Sequence, residues 1–386
     1  MEFLLFLSVI FFLTFAIGKA IEKLRIPWIF AALFLGLVLS FYNPFEAFTS
    51  SESFIFLGQL GMYFLLFIIG FELDFNKIAK QSGFIVKSSL IIILSEAVVG
   101  SFFVRVLFHL PWFIAVLVAA SFATVGEAVL LPILGEFKLI KTKLGQSIIG
   151  IGVLDDILEV LTLIVASFIA GKASGYTAFN LGINLVVLIG LFSSVFILLK
   201  FRAFSGRFKF KDISSLFIVV LAILFLFISV GQLAESAALG ALLAGIGIKN
   251  LMPKKNIKFI ESELKALCYG FFAPIFFVGV GLDTDLSYLL KFPLVIFLII
   301  LITNLTKILS SYLVAKKKLG KRNAILLGIS LTVKFSTSIV IIKLLFERNL
   351  IPLSLYSALI GATVILKFIV PLLLSHLIKK WKLSNS

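Results

Sequence analysis

Cysteine, histidine and acidic residues are scarce in this chain, and each scarcity removes a class of function. The 386 residues include one cysteine, Cys268, so no intrachain disulfide framework forms and no cysteine-based metal site is suggested. The two histidines, His109 and His376, lie near the ends of apolar runs, which argues against histidine-based catalysis. Charged residues make up 14% of the chain, against about 25% in soluble domains. No nucleophile–base set and no metal cluster stands out, so the sequence does not read as an enzyme and calls for no bound cofactor. The first apolar run, Phe3 to Ile17, has no basic flank before it and no small-residue cleavage pattern. It reads as a first span, not a signal peptide.

What is present is hydrophobic bulk. The chain is 61% hydrophobic with 44 phenylalanines, and its mean hydropathy is +1.19. That composition is one of a polytopic membrane protein. At about 20 apolar residues per crossing, thirteen spans fit: 3–20, 27–41, 54–71, 84–108, 112–134, 144–170, 176–200, 212–230, 233–248, 264–282, 292–315, 322–346 and 353–379. The net charge of +16 falls between the apolar runs, so it reads as a positive-inside signal and not as a nucleic-acid surface. One side collects clusters such as Lys138/Lys141/Lys143, Lys200/Arg202/Arg207, Lys316/Lys317/Lys318 and Lys379/Lys380/Lys382. The other side has scattered cases such as Lys172, Lys291 and Arg348. This bias predicts an outside N-terminus, a cytoplasmic C-terminus and an odd number of spans.

An internal repeat runs through the chain. Gly70-Phe-Glu72-Leu-Asp74 is echoed by Gly281-Leu-Asp283-Thr-Asp285, and Ala31-Ala32-Leu-Phe-Leu-Gly36 by Gly240-Ala241-Leu-Leu-Ala-Gly245. Both echoes have an offset of about 210 residues. Partners seven spans apart run in opposite directions through the membrane. The expected architecture is therefore a single all-α transmembrane transporter domain, 1–386, made of two inverted halves. Residues 1–170 form the first half, 212–380 the second, and 176–200 the linking helix. Such folds place their site near the bilayer midplane between the halves.

Charges inside the spans mark the function, because an intramembrane ionisable group is costly unless paired or hydrated. The set is Glu96, Glu127, Asp155, Asp156, Glu159, Lys307, Lys334 and Lys367. Asp155 and Asp156 are adjacent on one helix and point about 100° apart. One can act as a structural or switching acid and the other as a cation ligand, since carboxylate oxygens suit hard cations. The alternative is a salt-bridged scaffold. Lys307, in Asn304-Leu-Thr306-Lys307, is the expected counter-ion of Asp155, against a lysine that snorkels to the cytoplasmic end. Glu127 and Lys334 sit in counterpart spans that carry small or hydroxyl residues. If those spans break and cross, one acid and one base offset the free helix ends, in direct contact or through backbone partners. Glu159 lies one turn beyond the aspartates and, with Asn304, is a candidate cavity-lining residue. The sequence offers no sharp role for Glu96 or Lys367.

Together these residues resemble the monovalent cation:proton antiporter-2 family, which contains sodium/proton exchangers and Kef-type potassium/proton exchangers. The similarity runs nearly end to end. It is carried by Arg25-Ile26-Pro27 with Gly36, by Phe67-Ile-Ile-Gly70-Phe-Glu-Leu-Asp74, and by Phe271-Phe-Ala-Pro274 running on to Gly281-Leu. Asp155-Asp156 resembles the family's double-Asp helix, and Lys307 with Leu309-Ser-Ser-Tyr-Leu its lysine-bearing span. The resemblance implies crossing, discontinuous spans 5 and 12, a core that moves against a dimerisation domain, and a homodimer in the bacterial inner membrane. It implies Asp156 as the Na⁺ or Li⁺ ligand, Asp155 as the partner of Lys307, and Thr124 as a hydroxyl near the ion. It also implies electrogenic exchange of two protons per Na⁺. Two departures stand out. Thr332-Val333-Lys334-Phe335 stands where many relatives have R-G-E-F, and Glu127 where relatives often have a small or hydroxyl residue. These keep a K⁺/H⁺ exchanger open as the alternative, with a non-transporting membrane ion sensor behind it. No nucleotide-binding domain is expected to follow the spans.

Overall fold

A chain in lipid must satisfy its backbone hydrogen bonds within the spanning segments, and helices do so locally. The computed structural model describes residues 2–22, 30–72, 82–125, 130, 133–134, 137–172, 186–187, 189–195, 197, 213–233, 236–251, 254–334 and 336–381. Among the described residues every regular element is a helix. In order these are α1 (Glu2–Glu22), α2 (Phe30–Phe41), α3 (Glu46–Thr49), α4 (Glu52–Glu72), α5 (Gly83–Phe108) and α6 (Trp112–Phe122). They continue with α7 (Lys143–Lys172), α8 (Ile213–Gln232), α9 (Ala237–Leu251) and α10 (Lys254–Leu267). A π-helical turn over Cys268–Phe272 then leads into α11 (Ala273–Leu282). The last are α12 (Leu286–Lys291), α13 (Pro293–Leu319), α14 (Lys321–Ser330), α15 (Ser336–Glu347) and α16 (Leu353–Lys380).

Most helices fall on the expected spans to within a few residues. α5 covers the expected 84–108 and α16 the expected 353–379. Seven described stretches are long and apolar enough to cross a membrane. The expected span 264–282 is longer than the apolar run suggests, because the amphipathic α10 feeds it through the π turn. The expected linking helix 176–200 lies largely outside the described residues, as do Arg25-Ile26-Pro27 and Asp74.

The two counterpart spans expected to break do so. α6 ends at Phe122, and its capping residue Ala123 has φ −71° and ψ −7°. α14 ends at Ser330, and its cap Leu331 has φ −71° and ψ −6°. Helix resumes at Ser336 as α15. The fold is thus the one of two inverted repeats with discontinuous helices.

The chain divides into two compact units. One comprises Met1–Phe11, Pro44–Leu73 and Ile164–Gly279, the other Phe12–Asn43, Asp74–Leu163 and Val280–Ser386. In the first unit α4 and α9 touch backbone to backbone at Gly70 and Gly245. A Cβ on Gly245 would lie 2.7 Å from the Phe71 nitrogen and 3.1 Å from the Gly70 carbonyl carbon. In the second unit Gly281 meets α2 in the same way, where a Cβ would lie 2.6 Å from the Leu37 nitrogen and 2.7 Å from the Gly36 carbonyl carbon. These four glycines are the ones that repeat in the sequence. Each crossing joins a glycine from one copy of the sequence repeat to a glycine from the other.

Candidate ion site at the broken helices

The site lies in the second unit and is built on the two breaks. Where a helix ends inside the fold, its last carbonyls have no intrahelical donor and its C-terminus carries partial negative charge. Two lysines answer this need. Lys307, from the middle of α13, donates to the carbonyls of Ala123 (2.8 Å), Thr124 (3.3 Å) and Leu331 (2.5 Å). One ammonium therefore ties the end of α6 to the end of α14. Lys334, from the second break, donates to the carbonyls of Phe122 and Thr124, the latter at 3.4 Å. Its ammonium also lies 4.6 Å from the centre of the Phe122 ring, a favourable placement for a cation.

Glu96, on α5, completes the charge pattern. Its Oε1 accepts from Lys334 at 3.0 Å, and its Oε2 lies 3.0 Å from the Lys307 ammonium. The two contacts differ in kind. The Lys334 contact is an aligned hydrogen bond, whereas the Lys307 contact is an ion pair with no hydrogen-bond geometry. The hydrogen bonds of Lys307 go to the three carbonyls instead. Lys307 and Lys334 are fully buried, and Glu96 is 4% exposed. A carboxylate that faces two ammoniums is compensated, whereas the same group alone in hydrocarbon costs several kcal/mol.

Asp155 sits in the middle of α7 and is fully buried. Its Oδ2 accepts the backbone N–H of Val125, in the first break, at 2.5 Å. Its Oδ1 has no hydrogen-bond partner among the described residues. The charges of Lys307 and Lys334 act on it through space. The breaks are also joined directly, by a 2.5 Å hydrogen bond between the Thr124 and Ser338 hydroxyls. Gly328 lets α14 reach this point, since a Cβ there would lie 2.5 Å from the Ile308 Cα and 2.9 Å from the Lys307 carbonyl.

Two expected pairings require comment. Lys307 was expected to pair with Asp155; its ion-pair partner is Glu96. The reason is that α5 brings a carboxylate to both lysines, while Asp155 accepts the Val125 backbone N–H in the same break. Lys334 was expected to meet Glu127 directly or to find backbone partners, and it has backbone partners in Phe122 and Thr124. Glu127 lies outside the described residues, and the carboxylate that Lys334 meets is that of Glu96. Asp156 and Glu159 lie on α7, but their side chains are outside the described residues. Asn304 turns its amide back onto its own helix, donating to the Ile300 carbonyl at 2.8 Å. Lys367, on α16, is buried with its ammonium 3.6 Å from the centre of the Phe30 ring, beside an apolar cavity of about 300 Å³. Glu96 is the residue that sequence reasoning left without a role. The signal was its position: it occupies the counterpart, in the first half, of the span that carries Lys307.

The chain as a whole is similar to known proteins. The model of the transmembrane sodium/hydrogen exchanger family matches residues 9–380. The chain is 27% identical over 339 residues to a Na(+)/H(+) antiporter of Enterococcus hirae, covering 84% of each. It is 27% identical over 389 residues to a probable Na(+)/H(+) antiporter of Methanocaldococcus jannaschii, covering 97% of this chain and 95% of that one. It also matches the glutathione-regulated potassium-efflux system protein KefC of Shigella flexneri, 26% identical over 282 residues, of which it spans 43%. Among solved structures, the sodium proton antiporter MjNhaP1 of M. jannaschii superposes with a TM-score of 0.60 at 19% identity, over 99% of this chain and 97% of that one. A second structure of the same antiporter gives 0.64 at 20% identity.

Proposed function

The chain belongs to the sodium/hydrogen exchanger family, and from that premise we propose that it is a secondary active antiporter that exchanges Na⁺, and also Li⁺, for protons. The observation that carries this reading is Asp155, a fully buried carboxylate at a helix break with one oxygen bonded to backbone and the other bare among the described residues. A carboxylate in that position takes up a proton or lends its bare oxygen to a cation held on the neighbouring Asp156, and the two loads compete.

Charge bookkeeping supports the stoichiometry. Lys307 and Lys334 balance Glu96 and Asp155. Asp156, the next residue on α7, adds one negative charge and is the proposed Na⁺ ligand, with the Thr124 hydroxyl nearby. A site of net charge minus one is neutral with Na⁺ bound and carries plus one with two protons in its place. A cycle that returns two protons for each Na⁺ therefore moves one net charge, worth about 2.3 kcal/mol per 100 mV. An unloaded, charged site is held back by the cost of desolvating it, and that cost couples the two fluxes. Glu159 and Asn304 are assigned to the approach to the site, and Glu127 to the first break.

The rest of the reading follows the sequence. The protein works as a homodimer in the bacterial inner membrane, with its N-terminus outside, its C-terminus cytoplasmic and no bound cofactor. Its halves, 1–170 and 212–380, are joined by the helix at 176–200. A second reading, K⁺/H⁺ exchange, is favoured by one observation: Lys334 stands where the resemblance leads one to expect an acid. An ion panel decides between them. Purified protein in liposomes with an imposed ΔpH should release protons on addition of Na⁺ or Li⁺, with a rate that depends on membrane potential. Release by K⁺ alone would move the function to potassium, and potential-independent rates would overturn the two-to-one ratio.

A further inference from the structure

Glu96 and Lys334 enter the exchange reaction only through their charge, and neither takes up the cation or the proton. We propose that Glu96 is the acid onto which Lys307 is transferred when Asp155 is loaded, and that Lys334 keeps Glu96 compensated when Lys307 leaves. This rests on the exchange reading above and assigns Glu96 and Lys334 as positioning residues within it.

Four observations carry the inference. First, Lys307 lies 3.0 Å from Oε2 of Glu96 outside hydrogen-bond geometry, so the contact is an ion pair. Second, the directional bonds of Lys307 go to carbonyls of both breaks, which tether the ammonium in the neighbourhood of the break that also holds Asp155. Third, Asp155 has one bare oxygen, among the described residues, while Lys307 is on Glu96. The structure thus shows the arrangement in which Asp155 is free to take a cation or a proton. Fourth, Glu96 is buried and has a second lysine. With Lys307 alone, its transfer to Asp155 would strand a buried carboxylate at a cost of several kcal/mol. With Lys334 hydrogen-bonded to its other oxygen, Glu96 stays paired in either arrangement. The second lysine therefore lowers the barrier to moving the first.

The two residues then act in opposite directions on cation affinity, which a purely structural role would not produce. In Glu96→Gln, Lys307 loses its carboxylate, turns to Asp155 and competes with the cation. The apparent KM for Na⁺ should rise by roughly tenfold, and the dissociation constant with it. In Lys334→Met, Glu96 holds Lys307 more firmly and Asp155 stays free. The KM for Na⁺ should fall several-fold, with a lower maximal rate because the return of Lys307 strands Glu96. Glu96→Asp, which keeps the charge, should restore most of the affinity lost in Glu96→Gln.

The test measures Na⁺-dependent thermal stabilisation of each purified variant alongside Na⁺-driven proton flux in liposomes. Opposite shifts in Glu96→Gln and Lys334→Met support the proposal. Equal losses of rate with unchanged Na⁺ affinity in both overturn it. If Glu96→Gln does not fold, an unchanged or raised KM in Lys334→Met overturns it alone. Should the wild type bind Na⁺ with this Glu96 dependence yet carry no flux, the assignment of Glu96 stands and the exchange reading falls.

Discussion

The two units of the molecule handle charge in opposite ways. In the first, ionic groups sit at helix ends. Glu72, the last residue of α4, pairs with Lys265 at 2.6 Å, and Lys265 also pairs with Glu261 at 2.7 Å. Glu72 is 44% exposed and the two other side chains about a third. Within this unit the helices are packed by apolar contact, such as Phe64 stacked on Phe272 at 4.3 Å between ring centres. In the second unit Glu96, Asp155, Lys307 and Lys334 are all buried. The difference is the broken helix. Continuous helices satisfy their own backbone and give a buried charge nothing to bond to. The breaks after Phe122 and Ser330 expose carbonyls and a free N–H, and these solvate the charges that in turn solvate them. Apart from Lys367, buried beside the Phe30 ring, the buried charges described in this unit gather where helix hydrogen bonding stops.

That contrast can be broken from either side. The largest effect should come from Asp155→Asn, which keeps the Val125 bond but removes the exchangeable charge. Exchange should fall by more than about a hundredfold, read as flux in liposomes, because the step depends on charge and not on shape. Glu96→Ala leaves two buried ammoniums without their carboxylate. It should destabilise the protein by about 3–5 kcal/mol, seen as a large drop in the thermal midpoint in detergent. Gly245→Leu probes the first unit, where a side chain would press on the α4 backbone. It should cost about 1–3 kcal/mol or more, and a neutral result would show that the glycine crossing is not close. Lys265→Ala should be the mildest. Its partly exposed pairs are worth about 0–1 kcal/mol, so a loss as large as that of Glu96→Ala would erase the distinction between the units.

Much of this was legible in the sequence, and for physical reasons. Apolar runs of span length fixed where α5, α13 and α16 lie, because a bilayer tolerates little else. Small and hydroxyl residues around Thr124 and Thr332 marked the breaks. The glycine echoes at 36/245 and 70/281 marked the two close crossings, since only glycine allows backbones that near. What the sequence did not reveal is which buried charge meets which. Lys307 was expected on Asp155, and Glu96 had no assigned role. Burial can be read from one helix alone, but pairing depends on how two helices are rotated about their axes, and five helices or helix ends contribute here. For Lys334 the inverted repeat pointed to Glu127, which lies outside the described residues, or to backbone partners; among the described residues it meets the Phe122 and Thr124 carbonyls and Glu96 of α5.

The most direct test of the central claim is Na⁺-driven proton flux in liposomes, comparing wild type with Asp155→Asn at clamped membrane potential. Rapid proton release on Na⁺ addition is expected in the wild type and none in a variant that is folded and equally incorporated. Equal flux in the two proteins would mean that the carboxylate at the break is not where cation and proton compete.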